Sequence, residues 1–382
     1  MKVCFFFTAF FLLLCAAFHV NKVRERWQWF LLSGMACVLL LCSAYNTIVF
    51  FLPFPKASLD QHWYLLEPCD RLFSFSRGSE VFHNFCRLFY RCFGPTHVME
   101  CIFFVCVLNS CIALFAVDLL LGIFDSFCVT KRTKLVACFF VLQPRLLLQF
   151  AALTPSALSF FFSALFLSMV IKNKSLCAQI LPLLVLFRCH KIFWLPCIAV
   201  FLFISVSRTK KLALKFALCL CCGSFLLKGQ QVKRDIQLLE TLDLKCKGNS
   251  YIREPKHLSL KIPNFFFAPL FENCEHFFSK PPNANRLGWL YAIYTNLIVL
   301  FIFMRCVVLF IRGRFFPLYK NESCIIIIFL FSLAIEGVYC TNYLQANRHL
   351  ICTLMFPVVL ALLAESHSST HKSQTGGLGV PS

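Results

Sequence analysis

Long apolar stretches alternate with short polar segments along most of the chain. A membrane-spanning helix needs about 20 predominantly apolar residues, with a range of about 17 to 25. We therefore predict an all-α polytopic membrane protein whose single transmembrane domain covers 1–364 and contains about 9–11 spans. The candidate spans are 1–19, 28–53, 99–124, 136–152, 155–171, 176–189, 192–207, 212–227, 289–311, 323–340 and 349–364.

The first apolar stretch, 1–19, has two interpretations, a secretory signal sequence or a membrane anchor. It has neither a convincing small-x-small cleavage site nor a strongly basic start. These two features are expected of a signal sequence. The sequence therefore favours an anchor.

Short basic loops between the spans predict the orientation of the chain. With the spans above, five such loops fall on one side of the membrane, and Lys and Arg are enriched in cytosolic loops. The opposite side then receives two large loops, 54–98 and 228–288, which we predict to be lumenal. The polar tail 365–382 is expected to be disordered in the cytosol. The five basic loops are 22–26, 131–134, 172–174, 208–211 and 312–320.

Composition supports lipid as the main solvent and argues against nucleic acid as a partner. Hydrophobic residues make up 59% of the chain and charged residues 14%, whereas soluble domains are about 25% charged. The net charge of +20 is distributed over short clusters between apolar runs. A nucleic-acid-binding protein would concentrate it on one basic face.

Most of the 24 cysteines lie inside apolar runs, where cysteine acts as a small hydrophobic residue. Paired Cys-x-x-Cys units with zinc spacing are absent from the sequence, so we predict no metal site, although the sequence does not determine whether activity needs a metal. The cysteines in loops leave room for about one or two disulfides if those loops are lumenal. They are Cys69, Cys86, Cys92, Cys246 and Cys274.

The first large loop contains the motif Asp60-Gln61-His62-Trp63-Tyr64. A carboxylate at the membrane surface beside aromatic rings is partly desolvated, which suits it to act as a general base. Trp63 and Tyr64 offer faces for a sugar, but Trp and Tyr also populate membrane interfaces generally. Taken alone, the motif fits an interfacial loop better than an active site. Glu67 and Asp70 are rival carboxylates.

Residues 71–98 interleave four arginines with aromatic residues, which predicts one or two amphipathic helices lying in the membrane interface. Two interpretations remain open, simple anchoring or a basic surface that binds phosphate through guanidinium groups. The four arginines are Arg71, Arg77, Arg87 and Arg91.

Ionisable residues inside apolar runs are costly in lipid and are therefore functional candidates. Arg188 is the most interesting, since it lies near the lumenal end of a predicted span. Arg348 opens the last span and could bind a lipid phosphate or anchor the helix at the interface. The other residues of this kind are Asp118, Arg145, Arg305 and Glu336.

Several segments, in order along the chain, are similar to motifs of one enzyme family. Asp60 to Tyr64 resembles the family's first-loop motif, in which a Trp-Asp pair precedes an aromatic residue. Residues 142–160 resemble an Asn-Pro segment that leads into Tyr-Ser-Glu-Ser. The remaining similarities are Phe187-Arg188, Ile262-Pro263-Asn264-Phe265, and 344–349 with Pro357.

The family is the eukaryotic glycosylphosphatidylinositol (GPI) mannosyltransferases that add the second, α-1,6-linked mannose, within the GT-C class of membrane glycosyltransferases. This chain departs from the family pattern at Leu59, where a Trp is expected, and at Thr154–Ala157, where the Glu is absent. It also has no Asn-Gly after Arg188. The resemblance therefore indicates a divergent member.

The resemblance implies a GT-C-like helix bundle in the endoplasmic reticulum membrane with a lumenal active site. Dolichyl-phosphate-mannose would be the donor and the mannosylated GPI precursor glycolipid the acceptor, with no cofactor. The partners that the resemblance implies are membrane lipids, with room for a small accessory membrane subunit, and no nucleic acid. Asp60 would be the catalytic base; the implied substrate-binding residues are His62, Trp63, Tyr64, Arg188, Pro263, Asn264 and Arg348.

Three rival interpretations belong to different functional classes. Another lumenal GT-C enzyme would use the same carboxylate chemistry on a different lipid-linked sugar. A transporter or lipid flippase would place polar sites and broken helices at the membrane midplane. A non-enzymatic scaffold subunit would tolerate the loss of Asp60.

Overall fold

A computed structural model of the protein describes residues 26–51, 80–126, 144–172 and 174–189. It also describes scattered positions at 12, 13, 16, 131, 194, 197, 198, 200–202, 205, 297, 304, 308 and 311. The regular structure within these residues is helical, with no strand. The chain divides into two compact units, Met1–Trp194 and Leu195–Ser382, and the helices that are described over their length belong to the first.

Six α-helices and one short 3-10 helix (η1) make up the described part of the first unit. They are α1 (Arg26–Phe51), α2 (Glu80–Phe93), η1 (Pro95–His97), α3 (Val98–Ser126), α4 (Pro144–Phe150), α5 (Ser156–Ile171) and α6 (Leu176–Cys189).

Two regions of this unit are long and apolar enough to cross a membrane. They cover Arg26–Ile48, with 23 residues, and Pro95–Asp125, with 31 residues. At 1.5 Å per residue both exceed the bilayer core of about 30 Å. The helices α5, with 16 residues, and α6, with 14, are apolar but shorter. By length and composition, α1 and α3 are candidate membrane spans.

Helix α1 buries polar side chains beside apolar ones such as Leu32 and Leu39, and it exposes other large apolar side chains. Ser43, Asn46 and Thr47 are buried, whereas Phe30 and Leu41 are about 70% exposed, at 69% and 71%. A helix in water shows the opposite arrangement, because exposing apolar surface to water is unfavourable. The side chains of α1 therefore suit an apolar surrounding.

Helix α3 lies at the centre of the described bundle. It packs against α1, α2 and α5, while α6 packs against α5 and α2. Residues along its whole length are buried, from Ile102 through Leu114 to Leu121. Helix α4 contacts α1, α3 and α5. The core of this unit is thus assembled around α3.

Helix α2 is amphipathic, as predicted for residues 71–98, but its buried side carries polar groups as well as apolar ones. Phe82 and Cys86 join α3 residues in a hydrophobic cluster. His83 and Arg87, at the neighbouring positions, are also buried. Leu88, in contrast, is 52% exposed.

The turn between α2 and α3 requires a glycine. Gly94 has φ 76° and ψ 166°, a region that is essentially restricted to glycine and costs other residues about 1–3 kcal/mol. Its N–H donates to the Tyr90 carbonyl at 2.9 Å, which ends α2. The turn sets the direction in which α3 leaves α2.

Gly94→Ala is expected to destabilise the protein by about 1–3 kcal/mol through backbone strain alone. An added Cβ would meet nothing within 4 Å, so no steric clash contributes. Gly34→Ala is the matched control, because Gly34 lies within α1 and has the same free space. Alanine in a helix is favoured over glycine by about 1 kcal/mol. Thermal unfolding of the purified protein should show shifts of opposite sign, and equal shifts would contradict the strain at Gly94.

Four of the predicted spans coincide with observed helices to within two residues. They are 28–53, 99–124, 155–171 and 176–189, which match α1, α3, α5 and α6. The all-helical prediction is confirmed for the described part. The total span count, the loop 228–288, the tail 365–382 and residues 54–79 of the first loop lie outside the described residues.

Candidate functional site

The helix between residues 144 and 171 is interrupted at Ala151–Pro155. Proline has no N–H and disfavours helical geometry in the residue before it, so Thr154-Pro155 separates α4 from α5. The interruption lies inside the protein, since Ala151 and Leu153 have no exposed surface and Thr154 is 6% exposed. The sequence predicted a boundary between two spans here, and the structure shows a buried non-helical segment.

Two asparagines from other helices donate to backbone carbonyls at and just before this interruption. Asn46 of α1 donates through Nδ2 to the carbonyls of Leu148 at 3.0 Å and Ala151 at 2.9 Å. Asn109 of α3 donates through Nδ2 to Ala152 at 2.7 Å and Thr154 at 3.3 Å. A buried carbonyl without a partner is costly. The two amides therefore make the non-helical segment stable inside the bundle.

Shorter contacts hold the two ends of the interruption together. The Thr154 hydroxyl donates to the Gln149 carbonyl at 3.1 Å. Phe150 at the end of α4 and Phe160 on α5 are both fully buried, with ring centroids 4.8 Å apart. The hydrogen bond and the ring contact fix where α5 begins relative to α4.

A pair of serine hydroxyls joins α1 to α3 beside the asparagines. The Oγ atoms of Ser43 and Ser110 are 3.1 Å apart. Each Oγ also lies within hydrogen-bonding distance of the carbonyl four residues earlier in its own helix, at 2.9 Å and 3.0 Å. Since a hydroxyl has one proton, one serine donates to the other while its partner donates to its own helix. Small polar residues let helices approach closely in a membrane. We call Ser43, Asn46, Asn109, Ser110 and Thr154 the polar cluster.

Some buried hydrogen-bonding groups of α3 and α5 have no partner in the described part of the chain. Within the described residues, Asn109 Oδ1, Ser159 Oγ and Ser163 Oγ are buried and have no hydrogen-bond partner. All members of the polar cluster are neutral amides and hydroxyls without a basic or acidic group. The cluster can therefore position backbone and bind polar groups, but it contains no general base.

Buried cysteines lie between α2 and α3. Cys86 of α2 belongs to the same fully buried cluster as Cys101 and Cys106 of α3. Burial, and then the two neighbouring thiols, raise the pKa of Cys86 well above its ordinary value, while Arg87 lowers it to a smaller extent. A thiol that stays protonated reacts poorly. Cys86 and Cys92, two of the candidate disulfide partners, are free.

Cysteine labelling tests both this burial and the predicted topology. Cys92 and Cys177 are exposed. The predicted orientation places Cys92 in the lumenal loop 54–98 and Cys177 at the cytosolic end of the span 176–189. In sealed microsomes, a membrane-impermeant maleimide should label Cys177 directly and Cys92 only after permeabilisation. Cys86 should stay unlabelled in both cases, because it is buried and protonated. Labelled peptides are identified by mass spectrometry, and labelling of Cys92 and Cys177 from the same side would contradict the orientation.

Arg188 is the predicted site residue that the structure describes. It lies in the last turn of α6 and is exposed. Its Cζ is 5.6 Å from the centroid of the Phe187 ring, which contacts the Trp194 ring at 5.0 Å. This distance permits a cation–π interaction. The guanidinium group is thus held at the helix end on an aromatic surface.

The other predicted site residues lie outside the described residues. They are Asp60, His62, Trp63, Tyr64, Pro263, Asn264 and Arg348. Within the part of the chain that the structure describes, there is no group of three or more side chains suited to hold a metal ion. The described structure therefore neither assembles nor separates the predicted catalytic residues.

Sequence reasoning did not identify Asn46 and Asn109. It looked for ionisable residues inside apolar runs and gave no weight to neutral amides. A signal was present, because each is an asparagine inside a predicted span, and a Thr-Pro step interrupts a third apolar stretch. Backbone groups freed at such a step need donors or acceptors from neighbouring helices.

Comparison with protein-family models, with curated proteins and with solved structures finds no match to this chain. The function must therefore be inferred from the chain's own residues.

Proposed function

We propose that this protein is a membrane-embedded mannosyltransferase of the GT-C class. It transfers mannose from dolichyl-phosphate-mannose to the mannosylated glucosaminyl-phosphatidylinositol precursor and so adds the second mannose of the GPI anchor. The reaction takes place at the lumenal face of the endoplasmic reticulum membrane. Both substrates are lipids, which is why the site must lie at the membrane boundary.

The ordered series of motifs from Asp60 to Pro357 carries this proposal. One of its segments, 142–160, falls on the interruption between α4 and α5. Non-helical backbone at membrane depth is tolerated where it is buried in protein or lines a cavity. Two asparagines stabilise the interruption inside the bundle, so this segment has a structural role. That role supports the view that the similarity of 142–160 to the family motif is not accidental.

In the proposed reaction, Asp60 takes the proton of the acceptor's 6-hydroxyl group. The oxygen attacks the anomeric carbon of the donor mannose with inversion, a new glycosidic C–O bond forms, and the bond from that carbon to the phosphate oxygen breaks. Dolichyl phosphate leaves with the bonding electron pair. Arg348 and Arg188 stabilise its negative charge through charge-assisted hydrogen bonds.

The other predicted residues have binding roles in this scheme. His62, Trp63 and Tyr64 hold the sugar or the lipid beside Asp60. Pro263 and Asn264 shape the returning lumenal loop. Arg188 is exposed beside the Phe187 ring in the last turn of α6.

A lipid transporter or flippase is the second candidate. The buried interruption between α4 and α5 favours it, because transporters commonly bind substrates at discontinuous helices. Against it, the interruption is held by neutral side chains, and its carbonyls at 148, 151, 152 and 154 are already bound by amides.

Profiling of lipid-linked GPI intermediates in cells depleted of the protein separates these functions. Accumulation of the one-mannose species is expected, because the second mannose would no longer be added. Re-expression of the full chain should restore the normal profile. A normal profile in depleted cells refutes the proposal, and accumulation of a different glycolipid assigns the protein to another step or another GT-C reaction.

A further inference from the structure

Arg87 is a buried cation. It lies in the middle of α2 and only 8% of its surface is exposed. An arginine side chain stays protonated in proteins, and removing its charge from water is costly unless an anion compensates. We therefore looked for a negatively charged group near the Arg87 guanidinium group.

Within the described residues, Arg87 makes a weak polar contact and no ion pair. Its Nη2 lies 3.4 Å from Nε2 of His83, one turn earlier in α2. A guanidinium group has no acceptor, so the His83 nitrogen accepts and carries no proton. The contact thus brings no negative charge. Among the described residues, the buried carboxylate of Glu100 lies 3.4 Å from Nδ1 of His97.

The neighbours of Arg87 in α2 also lack negative charge. The adjacent Cys86 thiol is protonated, since burial and the thiols of Cys101 and Cys106 raise its pKa. Phe82 and Cys86 belong to an apolar cluster with α3. A planar guanidinium group with most of its five N–H groups unused is suited to bind a phosphate in a bidentate manner.

We propose that Arg87 is the core of a phosphate-binding site on α2 that binds the phosphate group of a membrane lipid, which under the proposed function is the polyprenyl phosphate part of the donor. The exposed apolar side chains of α2, Val81 at 37% and Leu88 at 52%, suit contact with lipid chains. An amphipathic helix in the interface lies at the depth of phosphate head groups. A largely buried arginine side chain, N–H groups without a partner among the described residues and an apolar outer surface thus coincide on one helix.

The test compares Arg87→Met with Arg91→Met in the purified full-length protein. Arg91 lies one turn further along α2 and is exposed, so it controls for charge and helix position. Thermal unfolding is measured in phosphatidylcholine nanodiscs, with and without dolichyl phosphate or phosphatidylinositol, and with inorganic phosphate added in solution. These arms distinguish a lipid phosphate from a soluble one.

Dolichyl phosphate should raise the unfolding midpoint of the wild-type protein by about 2–4 °C near saturation. Arg87→Met should weaken this binding at least about tenfold, and Arg91→Met should leave it unchanged. Without ligand, Arg87→Met should unfold at the wild-type temperature or above it, because Arg87 has no ion pair among the described residues whose loss would destabilise the fold. If inorganic phosphate also raises the unfolding midpoint of the wild type, and Arg87→Met abolishes this rise as well, the binding site is retained but its ligand is soluble phosphate.

Two outcomes would overturn the proposal. One is an unchanged response to all phosphate probes in Arg87→Met. The other is a lower ligand-free midpoint in Arg87→Met, which would mean that Arg87 pairs with a carboxylate of this chain. Both readouts measure binding and stability without turnover, so they remain interpretable if the glycolipid profile refutes the mannosyltransferase function.

Discussion

Asp60→Asn is expected to abolish rescue of the GPI intermediate profile in depleted cells, with mannose transfer reduced at least about 100-fold. The amide has nearly the shape of the carboxylate but cannot accept the proton of the attacking hydroxyl. Protein abundance should be unchanged, since the substitution removes a charge from a predicted loop at the membrane surface. Both quantities are measured in the same cells, by glycolipid profiling and by immunoblotting of the membrane fraction.

Two kinds of control make this result specific. Asp125→Asn applies the same chemical change at the exposed end of α3, far along the chain from the motif, and should rescue fully. Glu67→Gln and Asp70→Asn test the rival carboxylates of the same loop. If Asp60→Asn rescues fully and either Glu67→Gln or Asp70→Asn does not, the residue changed in the failing variant is the general base. Full rescue by all three variants would leave the proposed mechanism without a base.

Asn109→Leu is expected to destabilise the protein by about 1–3 kcal/mol. The leucine has the same branching but is bulkier and cannot donate, so the Thr154 carbonyl loses its donor at 3.3 Å. The Ala152 carbonyl loses the amide at 2.7 Å and keeps the Thr154 N–H at 2.8 Å. Each buried polar group without a partner costs about 1–3 kcal/mol. Unfolding of the purified protein can be followed with a thiol-reactive dye, because buried cysteines such as Cys106 become accessible on unfolding.

The matched control for this variant is Asn84→Leu. Asn84 is a half-buried asparagine on α2, so the same change of side chain is made away from the polar cluster. Its unfolding midpoint should stay close to that of the wild type. An Asn109→Leu midpoint equal to the Asn84→Leu midpoint would show that the amide does not support the interruption.

Asn46→Leu should be destabilising in the same way, and the double variant should cost less than the sum of the two. Both amides bind the same interruption, at 148 and 151 from α1 and at 152 and 154 from α3. Once one amide is lost, the segment can relax and the second has less to stabilise. Residues that share one network show coupling energies of about 0.5–3 kcal/mol. Strict additivity would mean that the two amides act independently.

The location of the helices followed from local properties of the sequence. The apolar runs at 28–53, 99–124, 155–171 and 176–189 are long and continuous, and the helices α1, α3, α5 and α6 occupy them within two residues. A helix satisfies its backbone hydrogen bonds within the segment itself. Its position can therefore be predicted without knowledge of the rest of the fold.

The chemistry of the candidate site was predicted far less completely. Of the proposed substrate-binding residues, Arg188 is described, and its place at the exposed end of α6 agrees with a predicted position near a span end. The grouping of Asp60 with Arg348 and Asn264 remains a prediction, since it depends on contacts between segments that lie far apart in the sequence. The buried state of Arg87 was not predicted either, because the periodicity of α2 places it beside the apolar stripe without showing what covers it.

The sequence by itself determined that the described part of this chain contains long apolar helices, because run length and composition are properties of each segment alone. Only the tertiary structure decided which polar groups meet inside the bundle. Asn46 binds carbonyls 102 and 105 residues away, and Asn109 binds carbonyls 43 and 45 residues away. Such pairs form because the interruption before α5 frees buried carbonyl groups that need donors. Which donors reach them depends on how α1 and α3 pack, and no local pattern encodes that.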